Sequence, residues 1–398
     1  MQLSMWTYPW DIADLGLDRV STDIRERARL NRISIAASYH AGRFLQPRSP
    51  VRKAYFPEDG TVYYAPEAAR WTDHEIRPKM AAHVAEAGDM LAAAVAARDK
   101  GGLAVSAWTV CLHNTRLGLA HPAHVTRNAF GDPNWYNLCP SSPAARAYAT
   151  TLVGEISARY RPDAIELESP NFLSFAHEFH HEKDGVGLLP EDDYLLSLCF
   201  CGHCAARAAR AGVPFEVARR TVARLIAEAC ERAVPEPQFP DFPERGIDVF
   251  ATHPELHAFL RWRCEPVTSL IAELRAAADP ASKVLLVEGP RPWLGAIDLE
   301  AAARHLDGAI ICAYGMAPEE TGALMRRMRE ALGAERYLGC GQTLFYPQMP
   351  DAATLAACAA VARAGGADGL SFYNYGLVPA KRLEWVDAAV QSLRPIEE

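Results

Sequence analysis

Short apolar runs alternate along the chain with longer segments in which apolar residues recur every three or four positions. The runs read as strands buried on both faces and the longer segments as helices. Strands are predicted over Leu3 to Tyr8, Arg32 to Ser38, Leu103 to Val110, Ala164 to Glu168, Val284 to Glu288, Ala309 to Tyr314, Tyr337 to Phe345 and Gly369 to Tyr375. Helices are predicted near Thr22 to Leu30, Pro78 to Lys100, Pro143 to Arg159, Leu299 to His305, Pro318 to Leu332, Ala352 to Ala364 and Ala380 to Leu393. Between the fourth and fifth strands a mostly helical stretch intervenes, with helices over Val217 to Arg232 and Pro254 to Ala278 separated by the proline-rich run Pro235 to Gly246.

Each strand is thus followed by a helix, and eight such units closing on themselves make an α/β protein of the (β/α)8 TIM barrel class. We read residues 1–398 as a single barrel domain, with long loops after strands two, three and four, and 185–280 as a helical insertion after strand four. Ligands of such barrels bind at the carboxyl ends of the strands, so inserted loops there wall a cleft. The competing open doubly wound sheet would want a glycine-rich phosphate cradle after the first strand, and YPWDIADLG has none.

The apolar fraction of 49% and charged fraction of 23% fit a globular protein, and a formal charge of −8 without a basic stretch argues against a nucleic-acid partner. No apolar run reaches membrane-spanning length and MQLSMWTYPW lacks the layout of a secretory signal, so a cytoplasmic protein with no membrane partner is expected. Ten cysteines, several in predicted strands, suit reduced thiols. A homo-oligomer is compatible with the sequence.

The stretch from Asp163 to Gly185, DAIELESPNFLSFAHEFHHEKDG, concentrates the chemistry. Glu166 and Glu168 sit two apart on a strand and therefore share a face, with Glu168 at the carboxyl end and Glu166 one layer deeper as a support residue. Reading the other strand ends adds Trp6, Tyr8, Tyr39, His40, Trp108, His113, Glu288, Tyr314, Gln342, Tyr373 and Asn374. Aromatic platforms with amide, imidazole and carboxylate partners suit a polyhydroxylated ring, so these are the expected sugar-binding residues. Glycosidic hydrolysis needs a carboxylic acid for the leaving oxygen and usually a second carboxylate. Only two predicted strands end in glutamate. Glu168 is expected as general acid/base and Glu288 as nucleophile or base, with no cofactor needed for catalysis; the alternative for Glu288 is an ion pair with a residue such as Arg291.

His177-Glu178-Phe179-His180-His181 spells HExxH, the spacing of two zinc-binding imidazoles on a helix, but Gly185 stops the helix early and the segment follows a barrel strand. His177, His180 and His181 are expected to face the cleft and bind substrate. Cys199, Cys201 and Cys204 form CxCxxC, which suggests thiolate ligation of structural zinc with a fourth ligand from Cys139, or failing that His203 or Cys230; three buried thiols beneath a helix are the alternative.

Cys139-Pro-Ser-Ser-Pro, a helix, a strand ending in an acid and then CxCxxC resemble glycoside-hydrolase-type barrels, in particular the cysteine-clustered β-galactosidases and related hydrolase-like barrels. The resemblance implies zinc at Cys139, Cys199, Cys201 and Cys204 and an acid/base role for Glu168. The chain departs from that family in having Leu167 before Glu168 and Gln342 where the seventh strand would carry a nucleophilic glutamate. The function expected first is a glycoside-hydrolase-type enzyme acting on a small glycoside. Two other readings stay open: a metal-dependent sugar isomerase, epimerase or lyase with a divalent cation on Glu168, His177, His181 and Glu288, and a sugar-binding barrel without catalysis.

Overall fold

A computed structural model describes residues 1–177 and 181–393. Eight parallel strands form its centre: Gln2–Thr7, Arg32–Tyr39, Ala104–Val110, Ala164–Glu168, Lys283–Glu288, Gly308–Cys312, Tyr337–Thr343 and Gly369–Tyr373. Each pairs with its neighbours in sequence order, and the first pairs with both the second and the eighth, so the barrel closes. Two two-residue strands, Thr61–Val62 and Lys79–Met80, extend the ladder beside the second strand.

The register fixes which side chains enter the barrel. Along the fourth strand, Ile165 and Leu167 pack outward into the main core under the helices, while Ala164 joins an inner cluster with Trp6, Tyr39, Trp108 and Ile310. Glu166 and Glu168 share the inward parity of Ala164. The inner space has room for indoles because strand seven carries glycine there: a Cβ on Gly341 would stand 3.2 Å from the Trp6 ring and 3.0 Å from Cys312 Sγ. A bulge between Ala36 and Ser38 shifts the second strand by one residue, which returns Tyr39 to the inward face that Ser34 and Ala36 occupy below it.

Helix boundaries differ from expectation where local breakers act. The expected helix over 78–100 is two, Ala82–Ala87 and Met90–Arg98, because Gly88 takes φ 90° and Asp89 caps the second through Ala92 N–H. The first crossover starts at Pro9 and not at Thr22, since Pro9 and Asp11 open a helix that Gly16 ends. The expected helix over 254–278 breaks at Arg263 into Pro254–Trp262 and Cys264–Ala277. The last of these lies against Pro143–Tyr160, where Arg146 grips Glu273 with two hydrogen bonds of 3.0 and 2.6 Å. In the stretch read as a loop after strand three, a hairpin pairs Val125–Arg127 with Pro133–Leu138. Its turn is built by Asn128, whose Oδ1 accepts from Phe130 N–H and Asp132 N–H. No helix of the described residues is long and apolar enough to cross a membrane.

Candidate active site and cysteine cluster

Glu166 is enclosed, 1% exposed, and accepts hydrogen bonds from Trp6 Nε1 at 2.8 Å and Ser34 Oγ at 2.6 Å. Burial raises its carboxyl above the usual range, and the Ser34 and Trp6 donors act against that. It ties strands one, two and four together beneath the mouth.

Glu168, one layer up, is half-buried, and its Oε2 accepts from Trp108 Nε1. Burial pushes its carboxyl to about 7, the Trp108 donor pulls it back and the Glu166 charge adds to the rise. Glu288 is also pushed to about 7, mainly by burial, with Gly289 N–H lowering it and Glu168 raising it. The Glu168 charge thus adds a minor rise at Glu288, while Glu168 itself answers to burial, Trp108 and Glu166.

Their settings differ. The register pairs Glu168 with Val287, which puts Glu288 on the opposite parity. Glu288 is held from the loop after strand four, where Asn171 Nδ2 donates to its Oε2 at 3.2 Å, while its own Gly289 N–H reaches Oε1 at 2.8 Å. Arg291 does not pair with it and faces Glu244 at 4.0 Å.

Three tyrosines stand beside Glu168. Tyr8 hydroxyl bonds that of Tyr39 at 2.9 Å and that of Tyr373 at 2.7 Å. Tyr39 and Tyr373, the ends of this chain, also interact with one another, so the three buried hydroxyls can satisfy their own protons. Both ends lie within electrostatic reach of Glu168. Tyr314 stacks on Tyr373 at 5.8 Å, and Trp6 and Trp108 each meet Tyr373 edge-on at 6.1 Å. Glu168 therefore sits in a tightly packed cup of aromatic rings, with both indole N–H groups already spent on the two glutamates of the fourth strand.

The histidines form a second group. His40 stacks on Tyr39 at 4.2 Å and on His113 at 4.0 Å, and His177 meets His113 edge-on at 4.5 Å. Burial holds His40 at about 4 and His113 well below the usual range, so both are neutral near neutral pH. His40 Nδ1 lies 2.8 Å from Ala41 O, which makes that nitrogen the protonated one.

Two expected site residues do not face the mouth. Gln342 pairs with Phe372 and shares the outward parity of Cys340, whose sulfur its Nε2 meets at 3.3 Å; it is fully buried under the helices. Asn374 is likewise buried, its Oδ1 accepting from Gly376 N–H at 3.0 Å. His181 is exposed with φ 53°, and His180, with Glu178 and Phe179, lies outside the described residues. Glu168, His177, His181 and Glu288 do not gather as a cation site; among the described residues only the four cysteines bring three or more such donor atoms together. Sequence reading missed Asn171 and Tyr136, the latter packed against His113 and His177.

Cys139, Cys199, Cys201 and Cys204 are all buried, with every sulfur within 4.8 Å of the others. Cys139 Sγ lies 3.9 Å from Cys199 Sγ and 3.6 Å from those of Cys201 and Cys204. A tetrahedral zinc with bonds of about 2.3 Å separates its sulfurs by about 3.8 Å, so the spacing fits that ion and is far too long for disulfides. Arg127 N–H points at Cys199 Sγ and Ser141 N–H at Cys139 Sγ, each at 3.4 Å, a donor pattern that favours thiolates. The cluster also grips the hairpin: Phe200 N–H donates to Arg127 O at 2.6 Å, and Cys139 directly follows its second strand.

Neither a protein-family model nor a curated protein matches this chain in sequence. Solved structures match it in shape. The glycoside hydrolase domain of PgaB (BpsB) from Bordetella bronchiseptica is 14% identical with a TM-score of 0.55, over 99% of this chain and 100% of that domain. The chitinase ChiW from Paenibacillus sp. str. FPU-7 is 10% identical with a TM-score of 0.50, over 100% of this chain and 43% of that multi-modular enzyme. At such identities the likeness is one of fold: a closed (β/α)8 barrel of the kind that glycoside hydrolases use.

The Trp108 contact gives a direct test of the floor of the cup. Trp108→Phe keeps the ring but removes the hydrogen bond that favours ionised Glu168, a charge-assisted bond of about 1.5–3 kcal/mol. The pKa assigned to Glu168 in a pH–rate or NMR titration is expected to rise by roughly one to two units; an unchanged value would show that the indole does not set it.

Proposed function

We propose that this protein is a carbohydrate-active enzyme of glycoside-hydrolase type, with Glu168 as the proton donor to the leaving oxygen. The observation that carries the reading is a carboxyl at about 7, at the end of the fourth barrel strand and bordered by Trp108 and the tyrosine chain. A carboxylic acid near 7 is still about half protonated when substrate arrives at neutral pH, where an ordinary glutamate would be almost wholly ionised, and general-acid catalysis requires that proton. Glu288 is the second carboxylate, ionised to activate water or stabilise the oxocarbenium-like transition state. The hydrolase activities named for the two matching structures support the class.

Zinc is proposed at Cys139, Cys199, Cys201 and Cys204 in a structural role, since all four positions of a tetrahedral site are filled by protein and none is left for substrate. The metal-dependent isomerase reading is set aside because its four donors do not converge.

The test is hydrolysis of aryl glycosides of both anomers, together with gluco-, galacto- and N-acetylglucosaminyl oligosaccharides, by purified wild-type protein. Release of a sugar that disappears in Glu168→Gln supports the assignment. A folded wild type that binds these sugars and cleaves none would leave a binding protein in place of an enzyme.

A further inference from the structure

The helical stretch inserted after strand four carries a buried charge that packing alone does not explain. Arg263, at the junction of Pro254–Trp262 and Cys264–Ala277, is 2% exposed. Its guanidinium lies over the Phe172 ring at 4.7 Å and the Tyr194 ring at 5.6 Å, and Nη1 donates to Leu294 O at 3.1 Å. Nε and Nη2 have no hydrogen-bond partner, and among the described residues Arg263 makes no ion pair. A cation with unsatisfied N–H groups in a core is far costlier than an apolar side chain of similar length, so its presence calls for more than the filling of space.

What the cation touches leads to the second carboxylate. Leu294 and Gly295 belong to the turn Pro292–Gly295 after strand five, and Phe172 N–H donates to Gly295 O at 3.3 Å. Asn171, the residue before Phe172, rests its side chain on that turn: a Cβ on Gly295 would stand 2.0 Å from Asn171 Nδ2, so the glycine is what lets the amide lie there. From this place Nδ2 donates to Glu288 Oε2 at 3.2 Å, while Oδ1 is buried without a partner. An amide can turn either end to a carboxyl, its N–H groups to an ionised one or its oxygen to a protonated one. No protein donor holds Oδ1, so the orientation depends on the walls around the side chain. Those walls are Phe172 and the turn after strand five, and Arg263 grips both.

We infer that Arg263 is a positioning residue for the second carboxylate: by clamping Leu294 O and the Phe172 ring together, it keeps the Asn171 N–H groups aimed at Glu288. The inserted helices thereby reach the site through a side chain that itself touches no substrate. This rests on the glycoside-hydrolase reading for what Glu288 does, but the ionisation of Glu288 can be measured without turnover. The titratable groups within electrostatic reach of Glu288 are Glu168 and the Cys312 thiol, and the variants below leave both in place.

The experiment is a carboxyl NMR titration of the full chain, with the Glu288 signal assigned by its loss in Glu288→Gln, in wild type, Arg263→Met, Asn171→Leu and the double variant. Asn171→Leu is expected to raise the Glu288 pKa by roughly one to two units, the worth of a hydrogen bond to a charged group. Arg263→Met should raise it in the same direction and by no more. A residue that acts through Asn171 has nothing further to lose once Asn171 is gone, so the double variant should match Asn171→Leu alone. Gly295→Ala, whose methyl displaces Nδ2 with Arg263 intact, should give a similar rise. Where Arg263→Met does not fold, Arg263→Lys carries the test, because the ammonium keeps stem and charge but cannot lie flat on Phe172 while reaching Leu294 O. An unmoved Glu288 in a folded Arg263 variant, a shift that adds in full to that of Asn171→Leu, or failure of both Arg263 variants to fold would overturn the inference. The expected shifts in a protein that cleaves no glycoside would keep the positioning role and overturn the hydrolase reading instead.

Discussion

Glu168→Gln is expected to lower kcat on any cleaved glycoside by roughly 10³-fold, within the range that a positioned general acid contributes. KM should change little, because the amide keeps the shape of the cup and can still accept from Trp108 Nε1. The wild-type pH profile should be a narrow bell. Glu168 must be protonated, so rate falls as pH rises through about 7; Glu288 must be ionised, so rate falls as pH drops below about 7. In the variant the alkaline limb should vanish.

Stability should move the other way. A carboxyl whose folded pKa lies above its unfolded value holds its proton more tightly when folded, so its contribution is present at low pH and lost as pH rises through about 7. At pH 8 the amide variant should melt no lower than wild type. A variant with reduced Tm at pH 8 would show that ionised Glu168 supports the fold, against the burial described here.

The second large effect concerns the four cysteines. Purified protein is expected to carry one zinc per chain, measured by elemental analysis, and Cys201→Ser or Cys204→Ser to lose it with a fall in Tm of roughly 5–10 °C. Zinc-free wild type with an unchanged Tm would reduce the cluster to packed thiols. Cys230, exposed on another helix, is the control whose serine variant should keep both metal and Tm.

The barrel was legible because its strands are buried on both faces, so that each stands out as a run, and all eight fall where the runs lie to within a few residues. The site was legible in part for the same reason. Knowing where strands end locates Glu168, Trp108 and Tyr39. Continuous burial, however, erases the alternation that would tell inward from outward positions. Nothing in YLGCGQTLF marks Gln342 as facing the helices, and only the ladder with Phe372 does. The same blindness hid the offset of Glu288. At Tyr39 the bulge restored the expected direction without any signal in its sequence. The hairpin could have been found: TRN and NWYNL flank an Asn-Ala-Phe-Gly-Asp turn, but their polar residues read as loop. With it went Trp135 and Tyr136.

Cys199 receives Arg127 N–H, Phe200 donates to Arg127 O, and Cys139 continues the strand that carries Trp135 and Tyr136. The hairpin's second strand has anchors of its own, Asn114 N–H to Tyr136 O, Leu138 N–H to Leu112 O and Leu173 N–H to Asn137 Oδ1, so the thiolate centre holds chiefly the first strand and its approach to Phe200. Hydrogen exchange around Arg127 and the cysteines is then expected to quicken together when the centre is lost, while 136–138 stay protected with the end of the third barrel strand. Loss of the thiolate centre therefore loosens the Arg127 side of the hairpin, while the side held by Leu112 and Asn114, and Glu168 with it, stays in place.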